Sequence, residues 1–375
     1  MAYTEGLKNM KIIHFVSGIK SGGVEQFLYN YSFRINKKFD IDEYIIYQHN
    51  ANDKSLNKLK RAGNTCIRIA SKTNNPIKNL MDTYRIISKL KPDIVHAHMN
   101  LVNFIPLFAA FILKVPVRIS HSHIATDNIK CKFLIPFFKR LNIYFSNVLF
   151  SCGDSAGKYM YGKRKFTIIR NAIDLNQFKF NIDNRNKCRG KYHINSRTVV
   201  FGNIGRLTKQ KNQLFLLHIF NEFQKKHPDS ILFIVGTGEL KKTIDNKINN
   251  LKLSNKVYVV SPIDNTGPFY SMIDMFILPS LYEGLPVTSI EAQVSELPLL
   301  ISSGIDKNVK LLKTTKILDL DNSYLWEKSM SAANPARDRT FTEFEHFKKY
   351  DINLCYEDLY GIYHKLVKNL KGHDE

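Results

Sequence analysis

Thr198-Val199-Val200-Phe201-Gly202-Asn203-Ile204-Gly205-Arg206-Leu207-Thr208-Lys209-Gln210-Lys211-Asn212 reads as a strand, a glycine turn and the start of a helix. The apolar run does not alternate with polar residues, as expected of a strand covered on both faces of a parallel sheet. Residues from Lys209 to Lys226 then carry an amphipathic helical pattern. Arg206 and Lys211 lie in the loop between the two, where the carboxyl end of a strand meets a helix N-terminus. Two cations at such a point suit a diphosphate.

The same unit repeats outward in both directions. Downstream, Ile231–Gly236, Val257–Val260, Met275–Leu278 and Leu299–Ser302 are strand candidates. Upstream, Lys11–Ser17 reads as a strand, Gly18-Ile19-Lys20-Ser21-Gly22-Gly23 as a turn and Val24 to Ile35 as a helix. Further strands are expected at Tyr44–Tyr47, Cys66–Ile69, Ile94–Ala97, Val117–Ser120 and Val148–Ser151. Alternating β and α at this spacing implies parallel sheets with helices on both faces. A polar stretch from Asn181 to Ser196 separates two such series, so two doubly wound domains are expected in tandem, sharing one interdomain cleft beyond their strand ends. The final segment, Phe341 to Leu370, reads as helical and is expected to pack across the domain junction.

After the strand ending Leu278-Pro279-Ser280 comes Glu283-Gly284-Leu285-Pro286-Val287-Thr288-Ser289-Ile290-Glu291. A Gly-containing turn opens a helix, with Pro286 suited to its first turn and a carboxylate on either side. Such an arrangement fits a sugar nucleotide: the phosphates lie toward the helix N-terminus and the carboxylates accept hydrogen bonds from hydroxyls.

Composition narrows the field. The chain has 375 residues, enough for two domains of average size. Its longest apolar run, Phe104 to Leu113, is too short to cross a bilayer. Met1 to Glu5 lack the features of a secretory signal, which points to the cytosol. Five scattered cysteines without Cys-x-x-Cys spacing argue against a disulfide framework or a zinc site. The net charge is +22, and residues 1–165 hold 26 Lys and Arg against 10 Asp and Glu. A surface of that sign could meet nucleic acid, an anionic membrane or a phosphorylated substrate.

With these elements in place the sequence resembles the retaining glycosyltransferases of family 4, in the branch that builds bacterial capsule and exopolysaccharide. The resemblance rests on Pro279-Ser280-Leu281-Tyr282-Glu283-Gly284-Leu285-Pro286 with Glu291-Ala292-Gln293, and on Gly205-Arg206 with Lys211. Gly22-Gly23-Val24-Glu25, Asp93 to His98, Arg118 to His123, Asn171-Ala172-Ile173-Asp174 and Val235 to Glu239 support it. Ser295-Glu296-Leu297-Pro298 departs from the family, which usually has a glycine before Leu-Pro.

The resemblance implies an α/β chain of the GT-B class: two facing Rossmann-like domains, a deep interdomain cleft and a C-terminal helix crossing back to the first domain. Residues 1–175 with 357–375 would form the acceptor-binding domain and 176–356 the nucleotide-sugar-binding domain. It implies that Arg206 and Lys211 hold the donor diphosphate, that Glu291 binds the ribose, and that Glu283, with Gly284 and Leu285, contacts the donor sugar. Gly22 and Gly23 would let backbone approach the phosphates. A family histidine near the reacting centre matches His123 or His121, with His123 preferred, and Asn171 is a further candidate. The donor would be a UDP-sugar, the acceptor a saccharide linked to undecaprenyl diphosphate, and no cofactor or metal would be needed. The enzyme would work at the inner face of the cell membrane.

Residues 129–150 mix aromatics with cations, and an amphipathic helix there could lie on anionic lipid. Two other readings compete. A metal-dependent transferase would use Asp40-Ile41-Asp42 or Asp319-Leu320-Asp321. A nucleic-acid-binding protein is suggested by charge alone, with no helix-turn-helix, RNA-recognition or zinc signature to support it.

Overall fold

The computed structural model describes residues 10–20, 22–124, 131–335 and 344–371. The chain divides into two compact units, one running to Ile173 and resuming at Lys349, the other spanning Asp174–Lys348.

The first unit is built on β1 (Met10–Val16), β2 (Ile41–Tyr47), β3 (Thr65–Arg68), β4 (Ile94–Ala97), β5 (Val117–Ser122), β6 (Val148–Ser151) and β7 (Thr167–Ile168). All pair in parallel, in the order β3-β2-β1-β4-β5-β6-β7. The second unit holds β8 (Val199–Ile204), β9 (Ser230–Val235), β10 (Val257–Val260), β11 (Met275–Leu278), β12 (Leu299–Ser302) and β13 (Thr315–Leu318), ordered β10-β9-β8-β11-β12-β13. The central strands are apolar along their length because helices cover both faces. Phe201, Leu232, Ile234, Ile277 and Leu300, for example, are all buried in one core.

Strand order reverses beside β1 in one unit and beside β8 in the other. In open parallel sheets the crevice at such a switch point is where ligands bind. The loops after β1, β4 and β5 meet in the first unit, and those after β8 and β11 meet in the second.

Two helices differ from the periodic reading. The helix expected over Lys209–Lys226 is a 3-10 turn, Lys209–Lys211, then an α-helix, Gln213–Lys226. Asn212 interrupts them in the left-handed conformation (φ 56°), which Asn tolerates better than most residues, and its side-chain N–H donates to Pro279 O. The terminal segment is likewise a 3-10 stretch, Phe344–Tyr350, followed by the helix Ile352–Lys371. The chain rejoins the first unit at Lys349, ahead of residue 357. Tyr350 and Ile352 are buried, and Ile352 N–H donates to Ile173 O at 2.9 Å. Residues 341–343 lie outside the described segments. The short edge strands β7 and β13 add to the strands expected from the sequence.

Candidate active site

Lys211 and Glu283 meet where the loops after β8 and β11 come together. Lys211 Nζ donates to both carboxylate oxygens of Glu283 at 2.8 Å, with the two side chains 13% and 11% exposed. Ser280 Oγ donates to the same carboxylate. Their loops are tied by backbone: Leu281 N–H donates to Gln210 O at 2.8 Å, and Gln210 Nε2 donates to Tyr282 O at 2.9 Å. On the other side Glu283 N–H donates to Gly304 O and Asp306 N–H to Glu283 O, so Glu283 is fixed by β11 and β12 together.

Glycine permits the close approach of the neighbouring loop. A Cβ on Gly236 would fall 1.9 Å from Gly205 O, and one on Gly205 would press on the Lys211 stem at 3.1 Å. Arg206, between them, is exposed and makes no ion pair among the described residues. Thus one cation is committed to a carboxylate, while the other faces water beside it.

Glu291 sits in the helix Val287–Val294, whose N-cap is Pro286. The buried Tyr270 donates its hydroxyl to Glu291 Oε2 at 2.7 Å. Burial pushes the Glu291 carboxyl up to about 7, against the opposing effect of that hydrogen bond. Burial and the adjacent Glu291 also hold the Tyr270 hydroxyl well above its ordinary value.

In the first unit five histidines gather at the ends of β1, β4 and β5. His14 Nδ1 lies 3.1 Å from His98 Nε2, His98 Nδ1 2.9 Å from His123 Nε2, and His96 Nε2 3.0 Å from His121 Nδ1. His96 Nδ1 is 2.8 Å from the Tyr363 hydroxyl of the C-terminal helix. Burial drives His96, His98 and His121 well below the ordinary imidazole range and His123 to about 3, so these rings are neutral. Asn100, in the left-handed conformation (φ 55°) that Asn tolerates, accepts from His123 N–H with its side-chain oxygen at 3.0 Å. Among the described residues the groupings with metal-ligand spacing are His14, His96, His98 and His98, His121, His123. In each, one pair of nitrogens lies within hydrogen-bond distance, His14 with His98 and His98 with His123. Neither includes an Asp-x-Asp carboxylate.

Residues 184–328 match the family model described as "Glycosyl transferases group 1". This segment is a glycosyl transferases group 1 domain. The chain is 27% identical over 311 residues to EpsF of Bacillus subtilis (strain 168), which carries the name of a glycosyltransferase, with 80% of each protein covered. It is 28% identical over 249 residues to the UDP-Gal:alpha-D-GlcNAc-diphosphoundecaprenol alpha-1,3-galactosyltransferase of Escherichia coli, covering 63% of this chain and 64% of that one. Among solved structures, Anabaena Alr3699/HepE in complex with UDP and glucose superposes with a TM-score of 0.76 at 14% identity, over 94% of this chain and 99% of that one. The fold is that of GT-B glycosyltransferases.

Within the group 1 domain the crevice brings Lys211 and Glu283 together, with Arg206 exposed on the Lys211 loop. A Cβ on Gly284 would meet nothing within 4 Å, so packing does not demand glycine there. Leu285 is partly exposed in the same loop. In the first unit a Cβ on Gly22 would meet the Glu25 carboxylate at 2.7 Å, and one on Gly23 would lie 3.7 Å from Asn171 Nδ2. The Gly22-Gly23 turn therefore folds around Glu25, which also accepts from Lys20 N–H at 2.8 Å. Both His121 and His123 lie in the imidazole cluster. Ser280 lies in the Pro279–Pro286 motif with no role read for it, and Tyr270 and Glu43 lie in no motif. Only the strand order and register reveal them.

Proposed function

We propose that this chain is a retaining glycosyltransferase that moves a hexose or N-acetylhexosamine from a UDP-sugar to a lipid-linked saccharide in capsule or exopolysaccharide synthesis. The observation carrying the proposal is the exposed Arg206 next to the Lys211–Glu283 pair, at the switch point of the group 1 domain. A departing nucleoside diphosphate gains negative charge as the glycosidic bond breaks. Arg206 meets that charge directly, and Lys211 does so as it shifts from Glu283 toward phosphate. Glu283, released from part of its pairing, accepts from donor-sugar hydroxyls, while Glu291 accepts from the ribose. These charges neutralise the leaving group without a metal. His123 lies near the donor sugar in this reading.

UDP as the nucleotude carrier is supported by the names of the Escherichia coli and Anabaena relatives, and the former also supports an undecaprenyl-diphosphate-linked acceptor. Work at an anionic membrane surface is supported by the helix Ile135–Phe145 and the 3-10 turn before it. Phe133 (79%), Phe137 (55%) and Tyr144 (70%) are exposed there among Lys132 and Arg140. Ile129 and Lys130 of that segment lie outside the described residues. No described helix is long and apolar enough to cross a membrane.

The test is hydrolysis of UDP-, GDP- and dTDP-sugars by the purified chain, with and without chelator. Release of UDP that survives the chelator is expected. No release from any donor, with or without acceptor glycolipid, would overturn the proposal, and chelator-sensitive release would overturn its metal independence.

A further inference from the structure

The first unit's histidines form two hydrogen-bonded series. Glu43, on β2, is 4% exposed, and its Oε1 lies 3.4 Å from His14 Nε2, the longest link in the chain. His14 continues to His98, and His98 to His123, at 3.1 and 2.9 Å. His123 Nδ1, at the far end, is buried and has no hydrogen-bond partner among the described residues. Between neutral rings each link holds one proton, so the direction of the first fixes the direction of all.

The first link is fixed by Asn36. Its Nδ2 donates to both Ala62 O at 2.9 Å and Glu43 Oε2 at 3.1 Å, which determines the orientation of the amide. As a carboxylate Glu43 accepts from Asn36 with one oxygen and can accept from His14 Nε2–H with the other. A neutral His14 ring that donates from Nε2 accepts at Nδ1. His98 donates from Nε2 and accepts at Nδ1, and His123 donates from Nε2. The second series, Tyr363–His96–His121, ends on a hydroxyl that can donate or accept, and so has no imposed direction. Phe27 packs against His98, His121 and His123, with ring centroids 5.3 to 5.7 Å away, and adds no polar group.

We propose that Glu43, His14 and His98 form a directional imidazole relay that locks His123 in its Nε2–H tautomer, leaving Nδ1 as a bare acceptor for a ligand hydroxyl. Glu43, His14 and His98 are positioning residues that act through His123. That the hydroxyl belongs to a sugar rests on the donor reading above; the relay itself does not.

The experiment is long-range ¹⁵N–¹H correlation on the full chain labelled at histidine, with His123 assigned by its absence in His123→Gln. His14, His98 and His123 are expected to be protonated on Nε2 alone. Glu43→Gln offers one oxygen to two donors, so its amide N–H competes for His14 Nε2. All three rings should then shift together toward the Nδ1–H tautomer, and Glu43→Asp should restore the original pattern. A proton on His123 Nδ1 in the wild type would overturn the relay, as would a Glu43→Gln spectrum in which His14 changes alone or no ring changes. Zinc titration is expected to leave these signals in place, and displacement of all three by micromolar zinc would make them ligands instead. Because the readout is the proton position, the relay is decided even if no UDP-sugar proves to be a donor.

Discussion

Lys211 Nζ is bonded to both oxygens of Glu283 at 2.8 Å, across 72 residues of chain. The two groups proposed to serve phosphate and sugar neutralise each other before any ligand arrives. Nucleotide must compete with Glu283 for Lys211.

Glu283→Gln removes that competition. Binding of UDP should tighten by roughly threefold to tenfold, as a largely buried cation is freed from its counter-charge, while turnover of donor falls. Calorimetric titration with UDP alongside donor hydrolysis checks both halves. Weaker UDP binding in the variant would contradict the competition.

Arg206→Ala and Lys211→Ala should each raise the barrier by roughly 2 to 4 kcal/mol, the scale of losing one preorganised charge stabiliser. Their stabilities should differ. Exposed Arg206 has no paired acid among the described residues to strand, whereas Lys211→Ala leaves Glu283 without its cation and lowers Tm. Steady-state kinetics and thermal melts separate the two effects. Near-normal kinetics in both variants would remove the phosphate assignment.

The Glu291 carboxyl is raised to about 7 by burial. A carboxyl raised on folding binds protons more readily in the folded state, so its contribution to stability is present below the unfolded value of about 4.5 and is lost as pH rises through about 7. Glu291→Gln should cancel this loss, on the order of 3 kcal/mol at pH 8, with the Tyr270 hydrogen bond retained by the amide oxygen. UDP affinity should show the opposite preference, being weakened about tenfold at pH 8 and much less at pH 6, where Glu291 is already protonated. Denaturant titrations and UDP binding at the two pH values provide the check.

Asp274 is fully buried between Arg185 Nη2 at 2.6 Å and Arg189 Nη1 at 3.3 Å, and it also accepts from Val200 N–H at 2.7 Å. Asp274→Ala should destabilise the chain by about 3 to 5 kcal/mol because two buried guanidinium groups lose their carboxylate. A Tm within a degree or two of wild type would show that the arginines find other acceptors.

Phe133→Ser with Phe137→Ser should abolish flotation with vesicles rich in anionic lipid and leave soluble donor hydrolysis intact. Recovery of the wild-type chain in the soluble fraction with and without such vesicles would exclude the membrane surface.

Alternation of apolar strand and amphipathic helix identified most of the strands, and the glycine turns after them located Arg206, Lys211 and Glu283. These signals are local: a strand buried on both faces needs a continuous apolar run wherever it lies in the chain. Short edge strands such as Thr167–Ile168 carry too few residues to show it. The break at Asn212 leaves no mark in the pattern, because periodicity continues through a single left-handed residue.

The sequence by itself determined two doubly wound units and the loops that would carry charge. It could not pair Lys211 with Glu283, place Tyr270 against Glu291, or join Glu43 to His123 through two other rings. Those relations depend on β1 lying between β2 and β4, and β8 between β9 and β11, and on which side chains become buried there. Hydrogen-bond direction and a carboxyl near 7 arise from partners and desolvation that only the assembled sheets supply.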